Sequence, residues 1–312
     1  MRAALIVNPR ARTLAAIDDP AARLHQAALD AGITLVGGAP PEAPLDEAIE
    51  AALAAQPDAV LVAGGDGTLR AVAGRLVDTG IALGIIPGGT MNRLAARLGL
   101  PADPFAAITT LATATSRQIA VGAVGDEIFL YQSLVGRQAR LVRHRESARD
   151  LGPRAWARLL LGALRAARRP MRRRLFLVGP GGQRSRAGAL VLTLPEPDAA
   201  LQAIQADAVQ PAGIARRLAQ VWAWARGRLH DRDDVLTRTA ERFVVHSTRE
   251  RIRMTLDGEM LLLPGPLAFR VRPAALRVLV PGVAQAEAMP GPAVATAARA
   301  QPKARVLPLK AA

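Results

Sequence analysis

Apolar runs recur along the first third of the chain at the intervals of an alternating strand–helix fold. Ala3–Val7 reads as a short, continuously apolar strand, and Pro20–Ala31 as a helix with Leu24, Ala28 and Ala31 on one side. Ile33–Val36 predicts a second strand, Leu45–Ala55 a second helix, and Ala59–Ala63 a third strand. Leu69–Val77 (helix), Ala82–Ile86 (strand) and Arg93–Leu98 (helix, stopped by Gly99 and Pro101) complete the series. Continuously apolar strands separated by helices imply a parallel sheet covered on both faces. Residues 1–120 are therefore expected to form an α/β domain.

From Val121 the runs shorten. Ile128–Tyr131, Leu175–Val178, Ala189–Leu194, Phe243–His246, Ile252–Leu256 and Leu276–Val280 are separated by Gly, Pro and charged turns. That spacing favours a mostly antiparallel second domain over residues 121–283, interrupted by helices at Arg154–Arg169 and Ile214–Arg226. Its last strand could return to the first domain. Residues 284–312 are rich in Ala, Pro and Gly without periodicity and read as a disordered tail.

Composition narrows the chemistry. Half of the 312 residues are hydrophobic, enough for a sizeable core, and aromatics make up only 3%, so aliphatic side chains must fill it. With no cysteine, disulfides, thiolate metal sites and a thiol nucleophile are excluded. Lys303 and Lys310 are the only lysines, which removes Walker A loops, the protein-kinase strand lysine and Schiff-base chemistry. No apolar stretch is long enough to span a membrane, so a soluble, cytoplasmic protein is expected, with surface association open. The isolated histidines show no metal spacing, and the serines lack a nucleophile-elbow context.

The sharpest motif is Gly64-Gly65-Asp66-Gly67-Thr68, between a buried strand and a helix. Glycines let backbone N–H groups come close to phosphate oxygens, and the helix N-terminus favours the anion. Asp66 suits a bridging metal or nucleotide hydroxyls, and Thr68 could cap the helix and donate to a phosphate. A second turn, Pro87-Gly88-Gly89-Thr90-Met91-Asn92, leaves the next parallel strand at the same edge, where open α/β sheets bind ligands. Asn8-Pro9 ends the first strand there and could add a side-chain amide. Leu256-Asp257-Gly258-Glu259 has the hairpin signature Asp-Gly, with two carboxylates at one loop that could take a proton or hold a cation.

These motifs, in this order over residues 3–281, resemble the diacylglycerol kinase catalytic family, which includes sphingosine and bacterial lipid kinases and shares GGDGT with NAD kinases. The resemblance implies an ATP-binding first domain, a β-sandwich second domain, and catalysis in the cleft between them. Asn8, Gly64, Gly65, Asp66, Gly67, Thr68, Gly89, Thr90 and Asn92 would bind ATP. Glu259, helped by Asp257, would activate the hydroxyl of a lipid alcohol such as diacylglycerol, with Mg2+ as cation. The chain departs from the pattern in carrying Arg93 where the family has Asp, and Arg10-Ala11-Arg12 after Asn8-Pro9. The loop that helps hold Mg2+ in relatives is shortened to Leu194–Asp198, leaving Asp198 as the nearest metal-binding acid, with Glu196 close by. A NAD-kinase-like enzyme, or an inactive relative bound to anionic membrane or nucleic acid, is the alternative.

Residues 137–174 hold most of the net charge of +15, with a Trp156-bearing amphipathic helix among the arginines. Arg137–Arg174 is therefore expected to meet an anionic membrane surface, a packed and solvated helix being the competing reading. Nucleic acid is not expected as a partner, since no recognition module or stacking aromatics accompany the charge. Edge strands of the second domain could pair two copies into a homodimer.

Overall fold

The computed structural model describes residues 1–40, 42–136, 175–197, 199, 202–210, 213–225 and 229–282. The expected helix at 154–169, the Arg137–Arg174 surface, Asp198 and the tail from 284 lie outside the described residues.

Strands β1 (Arg2–Val7), β2 (Thr34–Leu35), β3 (Ala59–Gly64) and β4 (Ala82–Pro87) lie in the order β2-β1-β3-β4, all parallel. β3 and β4 are buried along their whole length, as continuously apolar strands covered on both faces should be. Their connections are α1 (Pro20–Asp30), α2 (Leu45–Ala54) and α3 (Asp66–Leu76), followed by α4 (Arg93–Arg97) and α5 (Pro104–Ala112). Helices α1 and α5 start alike: Pro opens the first turn, and the preceding aspartate accepts from the N–H three residues on (Asp19 from Ala22, 3.1 Å; Asp103 from Ala106, 2.7 Å). The periodicity reading missed α5. It buries Pro104, Ala107, Ile108 and Leu111 along one side, but its exposed face carries Ala106 and Thr109 and no charge, so the stripe does not stand out in the sequence PFAAITTLA.

Strands β5 (Thr115–Val124) and β16 (Leu267–Val280) form a long antiparallel ladder that serves both halves of the molecule. At one end of β16, Val278 pairs in parallel with Leu83 of β4; at the other, Leu267–Arg270 pairs antiparallel with β13 (Arg242–Ser247). Between them the register shifts after Arg272, where Pro273 and Ala274 (φ 50°) sit. A bulge is where a strand can accept a residue without an N–H and bend. The same sheet continues into β8 (Leu175–Val178) and β9 (Arg184–Ala187), while β6 (Glu127–Phe129) pairs with β5.

The second sheet is antiparallel throughout. Its order is β12 (Val235–Ala240), β11 (Ile204–Val209), β10 (Ala189–Thr193), β7 (Gln132–Gly136), β14 (Arg251–Leu256) and β15 (Glu259–Pro264). It faces the β13/β8 end of the first sheet across a shared core that includes Phe129, Leu192, Phe243, Met254 and Phe269. Phe129 and Phe269 meet edge to face, ring centres 6.2 Å apart. The expected β-sandwich is thus made from a second sheet packed on an extension of the first. Helix α6 (Ile214–Ala225) falls on the second of the two expected helical segments.

Candidate active site

Three loops leave the C-terminal ends of β1, β3 and β4 and interlock. At the end of β1 the Asn8 N–H donates to the Ala63 carbonyl (2.8 Å), and its side-chain Nδ2 donates to Thr68 Oγ1 (2.9 Å). Helix α3 begins at Asp66, three residues before the predicted start, so Asp66, Gly67 and Thr68 form its first turn and Gly65 is its N-cap. Thr68 therefore does not cap the helix. It is buried, and its hydroxyl is turned to Asn8.

The second glycine loop lies directly on the first. The Gly88 N–H donates to the Gly64 carbonyl (2.9 Å), and a Cβ on Gly89 would fall 2.6 Å from the Gly65 Cα. Only glycine permits that approach. Asn92, at φ 44°, closes this loop: its Oδ1 accepts from the Gly89 N–H and its Nδ2 donates to the Gly89 carbonyl, both at 2.9 Å. Thr13 ties in the third loop, its N–H donating to Gly88 O (2.9 Å) and its hydroxyl to Gly89 O (3.2 Å). The amides of Asn8 and Asn92 thus bind their own scaffold, while Thr90 stands exposed at the tip.

The opposite wall comes from the β14–β15 hairpin. Asp257 (φ 49°) and Gly258 (φ 101°) form its two-residue turn, and Leu256 pairs with Glu259 across it. The Asp257 carboxylate accepts three consecutive backbone N–H groups, from Leu130 (2.6 Å), Tyr131 (2.8 Å) and Gln132 (2.9 Å). Those residues carry the chain from β6 in one sheet to β7 in the other, where neither ladder satisfies all the donors. Burial pushes the Asp257 carboxyl up, against the pull of the three N–H groups and of Arg70. Asp257 is occupied in holding this crossover.

Glu259 reaches across to the glycine wall. A Cβ on Gly67 would lie 2.0 Å from its Oε1, so the carboxylate rests on the first turn of α3. Its Oε2 accepts from Arg70 Nη2 at 2.5 Å, and Arg70 Nη1 donates to Glu127 Oε2 at 2.6 Å. Burial works against the Arg70 charge, but the hydrogen bonds and charges of Glu259 and Glu127 outweigh it and raise the guanidinium above its ordinary range. Arg70 thereby joins α3 to β6 and β15. It was missed in the sequence, although it lies one helical turn beyond Gly67 and hence on the same face. Glu127 carried no signal of its own.

Between the walls is a cleft lined by Asp66, Leu69, Arg93, Leu94, Leu130, Tyr131 and Asp257. Arg93 and Arg97, one turn apart on α4, both stack on the Tyr131 ring, at 5.0 and 5.1 Å from its centre. Arg97 also grips the loop after β10, through Glu196 Oε2 (3.0 Å) and the carbonyls of Leu194 (3.3 Å) and Pro195 (2.5 Å). Glu196 is thus paired with an arginine, and Asp198 lies outside the described residues. Among the described residues no three His, Asp or Glu side chains converge as a metal cage. Glu259 is paired with Arg70 and Asp257 with three backbone N–H groups, and Asp66, within the glycine loop, accepts from the Arg93 N–H through Oδ1 at 3.2 Å. One such carboxylate suits Mg2+ carried in on nucleotide phosphates, which needs only one or two protein carboxylates; it does not suit a cation held by protein alone.

Comparison with known proteins agrees with this geometry. Residues 2–124 match the family model of the diacylglycerol kinase catalytic domain. A probable YegS-like lipid kinase of Pseudomonas putida is 30% identical over 256 residues, covering 77% of this chain and 83% of that one. A diacylglycerol kinase of Mycobacterium tuberculosis is 29% identical over 83% of this chain and 88% of its own length. With the probable YegS-like lipid kinase of Chromohalobacter salexigens the identity is 32%, and the match takes in 52% of each chain. Among solved structures, a diacylglycerol kinase from Bacillus anthracis superposes with a TM-score of 0.65 at 19% identity, over 91% of this chain and 98% of that one. A NAD kinase from Archaeoglobus fulgidus, solved with ATP, gives a TM-score of 0.51 at 13% identity over 92% and 95% of the two chains. Fold, motif order and relatives converge: the chain belongs to the diacylglycerol kinase catalytic family of lipid kinases.

Proposed function

We propose that this chain is an ATP-dependent kinase that transfers the γ-phosphoryl group to a hydroxyl of a lipid alcohol such as diacylglycerol. The observation that carries this reading is the seat of Glu259: a carboxylate from the second sheet lies on Gly67, in the glycine loop that would receive phosphates. A proton acceptor and a phosphate cradle are thereby within one helical turn of each other.

In this reading the N–H groups at the start of α3, the glycine backbone of 64–67 and 89, and the Thr90 hydroxyl bind the phosphates. The acceptor hydroxyl oxygen attacks the γ-phosphorus, the bond to the β-phosphate bridging oxygen breaks, and ADP leaves. The hydroxyl proton passes to Glu259, whose negative charge is steadied by Arg70. Mg2+ arriving on the nucleotide would be met by Asp66 and would supply charge neutralisation at the phosphates. The apolar residues Leu69, Leu94 and Leu130 in the cleft suit the glyceride end of an acceptor better than a dinucleotide. The described helices include none long and apolar enough to cross a membrane, so the enzyme would have to meet its acceptor at the bilayer surface. The Arg137–Arg174 stretch is our candidate for that contact.

The test is transfer of labelled γ-phosphate from ATP with Mg2+ to a panel of lipid alcohols in mixed micelles, with NAD as a non-lipid acceptor and Asp66→Ala as control. A labelled lipid that depends on Asp66 supports the proposal and identifies the acceptor class. Labelled NAD, or ATP binding without any transfer, would replace it with the NAD-kinase-like or the inactive reading.

A further inference from the structure

The described residues contain no lysine, so the permanently charged side chain they can offer a phosphate, beside the backbone N–H groups, is arginine. Among the described residues, Arg70 beside the cleft is held by Glu127 and Glu259, and Arg97 by Glu196 and two carbonyls. The Arg93 guanidinium, which lines the cleft beside Asp66, stacks on Tyr131 and meets no carboxylate among the described residues. Stacking fixes the plane of a guanidinium without using its N–H donors, which stay available at its edge for a planar, bidentate contact with an oxyanion. Its backbone holds still as well, since its N–H is bound by Asp66 at the first residue of α4.

We infer that Arg93 is a phosphate-binding residue, its guanidinium meeting the terminal phosphates of the nucleotide received by the first glycine loop. This rests on reading the cleft as a nucleotide site. Arg93 brings positive charge on the protein itself. Glu196, paired with Arg97, is not free to share a metal there. The cleft thus answers phosphate charge with a fixed guanidinium.

The experiment is calorimetric titration of the full chain and of Arg93→Gln and Arg93→Lys with ATP, AMP and inorganic tripolyphosphate, each with Mg2+ and with EDTA. Arg93→Gln should weaken ATP and tripolyphosphate by about tenfold or more, most clearly in EDTA, and leave AMP within about twofold. Arg93→Lys should recover part of the loss as a point charge. Melting temperatures of the variants show whether each is folded, and the lysine variant carries the comparison if the glutamine variant is not. If Arg93 only clamps Tyr131, all three ligands weaken together, the ATP-to-AMP affinity ratio matches the wild type, and the inference is overturned. Wild-type binding of tripolyphosphate without ATP or AMP would keep the anion site and remove the nucleotide reading. Wild-type ATP binding that Arg93→Gln leaves unchanged does the reverse, and no binding of any of the three overturns both.

Discussion

On the β3/β4 side of the cleft, backbone touches backbone: Gly65 against Gly89, Gly64 bonded to Gly88, over 26 residues of chain or fewer. On the β14/β15 side, charged and polar side chains hold the wall across far greater sequence separations, 127 residues for Asp257 to Leu130 and 189 for Arg70 to Glu259. The first wall has no slack, because an added methyl meets main chain. The second can shift at Glu259, because its tie to Arg70 joins the ends of two long side chains. Substitutions on the glycine side should therefore act on ligand placement almost completely, whereas those on the hairpin side should act in graded steps.

The largest effect is expected at Asp66, the acid of the rigid wall. Asp66→Ala should remove turnover, a loss of about a thousandfold or more, because phosphoryl transfer is mainly positioning and charge stabilisation. A phosphate-transfer assay on the folded variant checks it, and a rate within tenfold of wild type would break the assignment of this wall to catalysis. Glu259→Gln comes next. It should lower kcat by about two to four powers of ten, the usual worth of a general base, while ATP affinity changes by less than about threefold. An equal fall in both would mean that Glu259 only braces α3.

Gly67→Ala tests the seam between the walls. Its new Cβ would fall on the Glu259 carboxylate, the end of a flexible and half-exposed side chain, so the carboxylate moves and the helix does not. Alanine also favours a helix over glycine by up to about 1 kcal/mol, so the variant should melt no lower than wild type. Its kcat should nevertheless fall by about tenfold, and the split between melting temperature and rate is the readout. A variant that loses stability in proportion to activity would show that the loop, and not Glu259, has been displaced.

The same contrast explains which parts of the site could be read from the chain. GGDGT, the Pro87–Asn92 turn and Asn8-Pro9 are local motifs, each at the end of an apolar strand, so spacing alone brought them to one edge. Asp257-Gly258 read correctly as a hairpin turn, but nothing near it shows that the aspartate serves the N–H groups of residues 130–132. Arg70, Arg97 and Glu127 were lost in the arginine-rich background, since which of many arginines meets a carboxylate is decided by tertiary packing. In the fold, periodicity found the half-buried helices and the covered parallel strands, but not β7, β11 or β12 of the second sheet, whose apolar runs are broken by polar and small residues. It also missed α5, whose exposed face carries no charge, and β5, whose first four residues, TSRQ, contain no apolar run and are strand through pairing with β16.

The smallest effect is expected at Asp257, and it is one of stability and its pH dependence. In Asp257→Asn one acceptor oxygen is replaced by an amide that faces backbone N–H donors, which should cost about 1–3 kcal/mol through an unsatisfied buried donor. The pH dependence follows from burial, which raises this carboxyl in the folded protein above its value in the unfolded chain. A group raised on folding contributes stability that is complete below its unfolded value and is lost as pH rises through the folded one. The wild type's advantage over Asp257→Asn should then be greatest in acid and shrink towards neutral pH, where the aspartate must be buried as an anion. Urea unfolding of both proteins across that range measures it. An advantage that grows with pH would mean that the three N–H donors and Arg70 outweigh burial, and that the crossover between the sheets is held by an anion stabilised in place.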